Sequence, residues 1–503
     1  MKKEKFFKRM AKQGLALTFD DVRLLTGPST MPARLIPLES RFTRNVAVKV
    51  PIVSAAMDTV TTAEMAIAMA MAGGIGVIHT AMTPEKQAKE VKRVKLFLNG
   101  KVEKPITVPE DWTLEQVENL RREKSFTFHS FPVVNANNKL VGLVTRKDFQ
   151  RCPDLSRTVE SVMATEIMSA STGTKLDKAY TIMMGHKHVT VLPLVNRKQE
   201  VTGLYLLSDV LRVKHDSSQR YNVDKESRLI TAAAVGTSVE DALERIALMR
   251  EHLNVVVVDS AQGDSEYALT TIKAIKESFA DLDVMAGNIS RGSSAVLLAK
   301  HGVDGIKVGQ GPGAACITRP ETGIGTPQVT AVYRGVKALK KAGIDVPICA
   351  DGGITTRGDV SIALGAGAHS VMIGGMLAGT KEAPGQVYMD EAGNMVQAYR
   401  GMGSKEALEN NPASRERYGA EEGQTISPEG EAGTVAYRGT VVEVMEQLAF
   451  KLARSLDYCG MSSIEEHRRK AQFDLITHAG KRESGIHNMT PTGRTAVRKQ
   501  VTS

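Results

Sequence analysis

The stretch NVVVVDSAQGDSEYALTTIKAIKESFADLDVMAGN, residues 254–288, contains one complete unit of the fold. It opens on four consecutive valines, passes through the amphipathic segment SEYALTTIKAIKESFA and closes on a second short apolar run, DVMAGN. A short apolar run ending in small residues reads as a strand buried on both faces. An amphipathic stretch between two such runs reads as the helix that crosses back over a parallel sheet. The same punctuation recurs at PIVSAA (51–56), GIGVIH (74–79), LITAAAVG (229–236), GIKVGQ (305–310), PICADGG (347–353) and SVMIGG (370–375), which with NVVVVDSA (254–261) and DVMAGN (283–288) makes eight runs. Eight such units predict an α/β chain folded as a closed (β/α)8 TIM barrel. A doubly wound open sheet is the alternative, but it would carry a Gly-rich dinucleotide turn after its first strand, and none stands there.

At 503 residues the chain exceeds one barrel, so a second domain is expected. Hydrophobic residues at 42% and charged residues at 24% are ordinary for a globular protein. No apolar run reaches the roughly 18 residues of a membrane helix. The opening MKKEKFFKRMAKQG has no apolar core of a secretory signal, so a cytoplasmic location is expected. The four cysteines, Cys152, Cys316, Cys349 and Cys459, show no pairing motif and fit reduced thiols. The net charge of +9 concentrates at the two ends of the chain, without the basic helix or aromatic-interleaved stripe of a nucleic-acid binder. An anionic small substrate explains it equally well.

Between the second and third runs lie about 130 residues more than a compact barrel loop holds, which predicts an inserted domain. Within it FPVVNANNKLVGLVTRKDF (131–149) is echoed by LPLVNRKQEVTGLYLLSDV (192–210), with Pro132 and Pro193 marking the repeat. The repeat resembles a pair of CBS motifs, a Bateman domain, over 104–214, which implies a purine nucleotide effector. Thr145 and Asp148 match that family's ribose-contacting pair; in the second copy Asp209 is kept, but Leu206 stands where the hydroxyl belongs. A ligand-free structural pair is the alternative. The barrel then comprises 1–103 and 215–503. Within it, residues of about 386–440 turn polar and rich in Gly and Glu, without sustained apolar periodicity, and read as a mobile flap over the barrel mouth.

Active sites of such barrels lie at the carboxyl ends of the strands. The sixth run continues as GIKVGQGPGAACITRPETGIGTPQ, a Gly-rich loop that sets Cys316 at the barrel mouth, followed by Thr318. Glycines let backbone groups approach an ion closely, and a cysteine among polar groups can act as a nucleophilic thiolate. Asp351-Gly352-Gly353 and Gly374-Gly375 sit after strands seven and eight, where such barrels commonly hold phosphate, and Tyr399 can donate to a phosphate oxygen. Asp351 and Asp259 are candidates for sugar hydroxyls; for Asp259 a helix-capping role is the plain alternative.

The segments LTFDDVRLLTGPST, PIVSAAMDTVT, GGIGVIHTAMTPEKQAKEVKRVK, KVGQGPGAACITR, ADGGI, VMIGGMLAGT, YRGMGS, RERYG and SPEGEAG resemble, in the same order, the IMP dehydrogenase and GMP reductase family, and its dehydrogenases most closely. The resemblance implies that Cys316 attacks C2 of IMP, that hydride passes to NAD, and that water then releases XMP from the thioimidate, as part of guanine nucleotide synthesis. It implies catalytic roles for Thr318, Arg417, Tyr418 and Glu429, with Arg417 activating water. Met57, Asp351, Gly352, Gly353, Gly374, Gly375, Tyr399, Gly401, Met402, Gly403 and Glu429 would surround the substrate. Asp259, Ser260, Asn288, Gly309 and Gly311 would meet the cofactor. Carbonyls of Gly311, Gly313 and Cys316 would hold a potassium ion. It also implies a homotetramer, or an octamer paired through CBS domains. The sequence departs from the family at Ala314 and Gly375, where hydroxyls on the phosphate are usual, and at Ala261 near the cofactor. GMP reductase, which deaminates GMP with NADPH, is the rival: Gly374-Gly375 and MAGN (285–288) look like it, while Ala56 and the Arg417-Tyr418 pair do not. A catalytically silent nucleotide sensor is a third reading.

Overall fold

The computed structural model describes residues 2–99, 101–103, 105–123, 128–215, 220–226, 228–418 and 427–486. Most of the basic tail, 487–503, and the centre of the polar stretch, 419–426, lie outside the described residues. The chain divides into two compact units, one formed by residues before Lys95 and after Leu229, the other by Lys95–Leu229.

The first unit is built on a closed parallel barrel whose eight strands follow chain order: β1 (Ile52–Ser54), β2 (Ile75–Ile78), β3 (Ala232–Val235), β4 (Val255–Asp259), β5 (Asp283–Ile289), β6 (Gly305–Val308), β7 (Ile348–Asp351) and β8 (Ser370–Ile373). All eight apolar runs of the sequence became barrel strands. β2 pairs with β3 across the inserted residues and β8 closes on β1, so no strand edge is left unpaired. Alternate residues of neighbouring strands, among them Val53, Ile75, Val77, Ala232, Ala234, Val255, Val257, Met285, Cys349 and Met372, fill the interior. The intervening residues face the outer helices, which is why the strands read as continuous apolar runs.

Three helices are named. α1 (Lys3–Lys12) lays Phe6, Phe7 and Met10 against the barrel's outer layer, where Phe7 stacks on Tyr333 with ring centres 3.9 Å apart. α2 (Val239–Met249) follows β3 and is capped by Ser238, which accepts from the Asp241 N–H. α3 (Pro412–Tyr418) lies inside the polar stretch. That stretch is more regular than the sequence suggested. Val387–Met389, Met395–Arg400 and Ala432–Ala436 form an antiparallel sheet, and Lys405–Asn410 a further short helix. Elements of three to six residues are too short to impose a periodicity on composition.

In the second unit the repeat is visible in backbone detail. Phe131–Val134 pairs with Leu140–Val144, and Val191–Val195 with Val201–Leu206. Each hairpin carries its register shift at the same place, Val133/Val134 and Leu194/Val195. Each turns through one left-handed residue, Asn138 (φ 59°) and Gln199 (φ 64°). Thr145 and Asp148 hydrogen-bond to one another at 2.8 Å as the cap of the helix Arg146–Arg151.

His467 is fully buried in the barrel unit, with Nε2 2.9 Å from the Ser361 carbonyl oxygen and Nδ1 without a partner. Burial pushes its pKa down to about 4, and that of His79 also to about 4. In the unfolded chain these rings titrate near 6.5. Below that pH the unfolded chain therefore binds protons that the folded one refuses, so stability is complete above pH 6.5 and falls as pH drops toward 4. Urea titrations between pH 7 and 4.5 should show a loss of up to about 1.4 kcal/mol per pH unit for each such histidine. His467→Leu should make that dependence shallower.

Candidate active site

The loop after β6 is shaped by glycines that accept no side chain. A Cβ at Gly309 (φ +153°) would fall 2.0 Å from the Asp351 carbonyl oxygen. From this loop Cys316 projects half-buried, its Sγ 3.1 Å from the Thr318 hydroxyl, which donates to Glu429 Oε2 at 2.7 Å. The backbone secures this chain of groups. The Ile317 N–H donates to the Glu429 carbonyl at 3.0 Å and the Glu431 N–H to the Ala315 carbonyl at 2.9 Å, so Cys316 faces Gly430 across an antiparallel bridge. Gly401 fits against the same loop because a Cβ there would lie 2.8 Å from the Ala315 carbonyl oxygen.

Beneath the cysteine a buried lysine organises the floor. Lys307 Nζ lies 2.7 Å from Asp259 Oδ1 and 2.7 Å from Asp351 Oδ2, and donates also to Asn288 Oδ1. Asn288 Nδ2 donates to Asp351 Oδ2 at 2.9 Å and to the Gly309 carbonyl at 2.6 Å. One ammonium thus fixes the carboxylates that end β4 and β7. Sequence reasoning overlooked Lys307, although a lysine inside the apolar run GIKV was a usable signal, since a buried ammonium must be paired. Asp259 caps no helix; the cap of the helix that follows is Ser265. Its second oxygen receives Arg417 Nη1 from α3, and Arg417 Nε is buried without an acceptor.

The cavity enclosed by these groups has a volume of about 270 Å³. Cys316, Thr318, Arg417, Tyr418 and Glu429 line it together, as do Met57, Asp351, Gly352, Tyr399, Gly401, Met402, Gly403, Asp259, Asn288, Gly309, Gly311 and Gly313. Gln310 and Pro312 line it too, and the sequence had not singled them out. Gly353, Gly374, Gly375 and Ser260 are not on its wall. Gly353 (φ +80°) turns the chain behind Pro312. The Ser260 hydroxyl accepts from the Gln262 N–H at 3.1 Å instead of facing inward. Gly374 and Gly375 flank Tyr399: a Cβ on Gly374 would lie 3.1 Å from the tyrosine hydroxyl, and one on Gly375 3.7 Å from both its ring and Ala314 Cβ. The two positions that lack the family's hydroxyls therefore adjoin each other. Burial pushes the Tyr399 phenol well above its ordinary pKa, so it stays a hydrogen-bond donor. Tyr418 reaches the wall because Gly403 has no side chain; a Cβ there would be 2.7 Å from Tyr418 Cζ.

Residues 16–487 match the family described as the IMP dehydrogenase/GMP reductase domain. The chain belongs to that family. It is 38% identical over 486 residues to the inosine-5'-monophosphate dehydrogenase of Halalkalibacterium halodurans, covering 96% of this chain and 98% of that one. The enzyme of the same name from Bacillus subtilis is 38% identical over 488 residues, 96% of this chain and 97% of that one. Among solved structures, a GMP reductase variant of Trypanosoma brucei in complex with guanosine 5'-monophosphate superposes with a TM-score of 0.84 at 36% identity, covering 96% of this chain and all of that one (100%). Both activities in the family's name are oxidoreductions, and this member is an oxidoreductase.

Of the four thiols only Cys316 lines the cavity. Burial pushes the Cys349 thiol up to about 12 and Cys459 to about 11, which keeps both inert as nucleophiles. Cys316→Ala is expected to abolish turnover while nucleotide affinity, measured by calorimetry, stays close to that of the native protein; retained turnover would remove Cys316 from the chemistry. Lys307→Met leaves two buried carboxylates facing each other without their cation and should cost about 3–5 kcal/mol in chemical denaturation.

Proposed function

We propose that this enzyme is an IMP dehydrogenase, converting IMP, NAD and water to XMP and NADH in guanine nucleotide synthesis. The observation that carries the reading is the seating of Arg417 on Asp259 in the same cavity as Cys316, Thr318 and Glu429. A dehydrogenase must carry out two half-reactions in one site, and this cavity has a group for each. In the first, the Cys316 sulfur adds to C2 of IMP, and hydride leaves C2. NAD, when bound, accepts that hydride. In the second, water adds to C2 and expels the sulfur, giving XMP and free Cys316. Arg417, with Tyr418, would orient that water and, once its guanidinium has given up a proton, take the water's proton, while Thr318 and Glu429 would offer a second proton route.

Asp351 would take the ribose hydroxyls of IMP, and the backbone near Gly353, Gly374 and Gly375 with the Tyr399 hydroxyl would take its phosphate. Met57, Met402 and Gly403 would line the base. The cofactor fits the other side, where Asp259, Asn288, Gly309 and Gly311 offer a carboxylate, an amide and a wall free of side chains. At about 270 Å³ the cavity lies just below the usual range for ligand pockets, about 300–1,000 Å³. Arg417 already occupies Asp259, so the cofactor would bind with α3 withdrawn, and α3 would return for hydrolysis. The carbonyls of Gly311, Gly313 and Cys316 belong to one tight loop and would serve potassium.

The hairpin repeat in Lys95–Leu229 supports a tandem CBS unit with a purine nucleotide effector, although Thr145 and Asp148 already satisfy each other. Assembly as a tetramer or octamer and a cytoplasmic location belong to the same reading. No helix among the described residues is long and apolar enough to cross a membrane. The solved relative bound to guanosine 5'-monophosphate favours a second reading, GMP reductase, in which GMP and NADPH give IMP, ammonia and NADP.

Absorbance at 340 nm with potassium separates these readings. A rise with IMP and NAD alone establishes the dehydrogenase, a fall with GMP and NADPH alone establishes the reductase, and silence in both favours a nucleotide sensor. Arg417→Ala should keep a full burst of NADH but lower steady turnover by about 100-fold or more. Equal loss in both phases would deny Arg417 its part in hydrolysis.

A further inference from the structure

Glu416, the residue before Arg417, grips a different part of the barrel mouth. Its Oε1 accepts from the backbone N–H of Thr237 at 2.5 Å and of Ser238 at 2.6 Å, and lies 3.1 Å from the Thr237 hydroxyl. Ser238 is the N-cap of α2, an eleven-residue helix, and Thr237 precedes it, so the carboxylate sits at the end where the helix dipole favours negative charge. On the other side of the same peptide, the Thr271 hydroxyl donates to the Thr237 carbonyl at 2.5 Å and fixes its orientation. Gly236 supplies the space: a Cβ there would fall 2.5 Å from Glu416 Oε1 and 2.8 Å from its Cδ. Gly236 is not in the left-handed region, so room for the carboxylate, not backbone freedom, is what calls for glycine.

Two consecutive side chains therefore seat α3 on two adjacent strand ends. Glu416 meets the positive helix terminus after β3, and Arg417 meets Asp259 at the end of β4. β3 and β4 are hydrogen-bonded neighbours, about 4.8 Å apart. The charges alternate in the order the sockets do, so a shift of one residue would set either Glu416 against Asp259 and Arg415 against the helix terminus, or Arg417 against the helix terminus and Tyr418 against Asp259. We infer that Glu416 is a positioning residue, a latch that fixes the register of α3 and so delivers Arg417 to Asp259 for the hydrolytic half-reaction. The inference rests on the dehydrogenase reading for that last step only; the latch itself is a property of the fold.

Two variants break the latch from opposite sides. Glu416→Gln keeps the shape and removes the charge, and Gly236→Ala fills the socket with a methyl group. Each is examined in the full-length protein by hydrogen exchange of peptides covering 236–240 and 410–418, and by stopped-flow absorbance with IMP, NAD and potassium. Exchange in both peptides should accelerate by about tenfold, the scale of one charge-assisted contact. The NADH burst should keep its rate and amplitude, while steady turnover falls by a similar factor. The double variant should be no worse than Glu416→Gln alone, because both changes remove one contact. Unchanged exchange in Glu416→Gln overturns the latch, and so does a loss that is equal in burst and turnover. Faster exchange in both variants of a protein that makes no NADH from IMP leaves the latch in place and overturns the dehydrogenase reading instead.

Discussion

The site depends on one buried ammonium. Lys307 stands on β6 with Asp259, Asn288 and Asp351 around it, contributed by β4, β5 and β7. Two carboxylates at this depth would repel each other if no cation lay between them. With Lys307 in place they are held as acceptors at fixed positions, each with an oxygen on or near the cavity. The cluster of Lys307 and two aspartates has a net charge of −1, and Arg417 brings it to zero. The interaction that shapes the floor thus also provides a reason for a cation from α3 to settle there.

The region after β8 complements that floor. Its antiparallel sheet brings Glu429 and Gly430 alongside Cys316, while α3 brings Arg417 and Tyr418 from another direction. The first connection is backbone pairing to the cysteine loop itself. The second consists of a few charged side-chain contacts at strand ends. Backbone ladders fix a geometry, whereas charged contacts at a rim can be exchanged for a ligand.

Much of this was legible in residue order. Eight apolar runs with small residues at their ends gave eight barrel strands, because a strand covered on both faces tolerates little else. Cys316 in a Gly-rich loop after β6, and the glycines after β7 and β8, pointed to the mouth of the barrel. Lys307 escaped notice because the reading looked beyond the ends of the apolar runs, and its side chain lies within one. The family resemblance sets Ser260 beside the cofactor, yet its hydroxyl is spent on a local turn. Glu416 appeared to be one charge among many in a polar stretch; only the position of Gly236, far away in sequence, distinguishes it.

The sequence by itself determined the barrel and the repeat within Lys95–Leu229 and singled out Cys316 at the barrel mouth, because each rests on local periodicity, spacing or residue chemistry. Only the tertiary structure decided which charges meet. Strand order places Asp259, Asn288, Lys307 and Asp351 at neighbouring positions around a closed ring, and ring closure is a long-range fact that no local pattern encodes. The same holds for the partners of Glu416 and Arg417. An acid followed by a base means little until the fold sets a helix terminus and a carboxylate side by side to receive them.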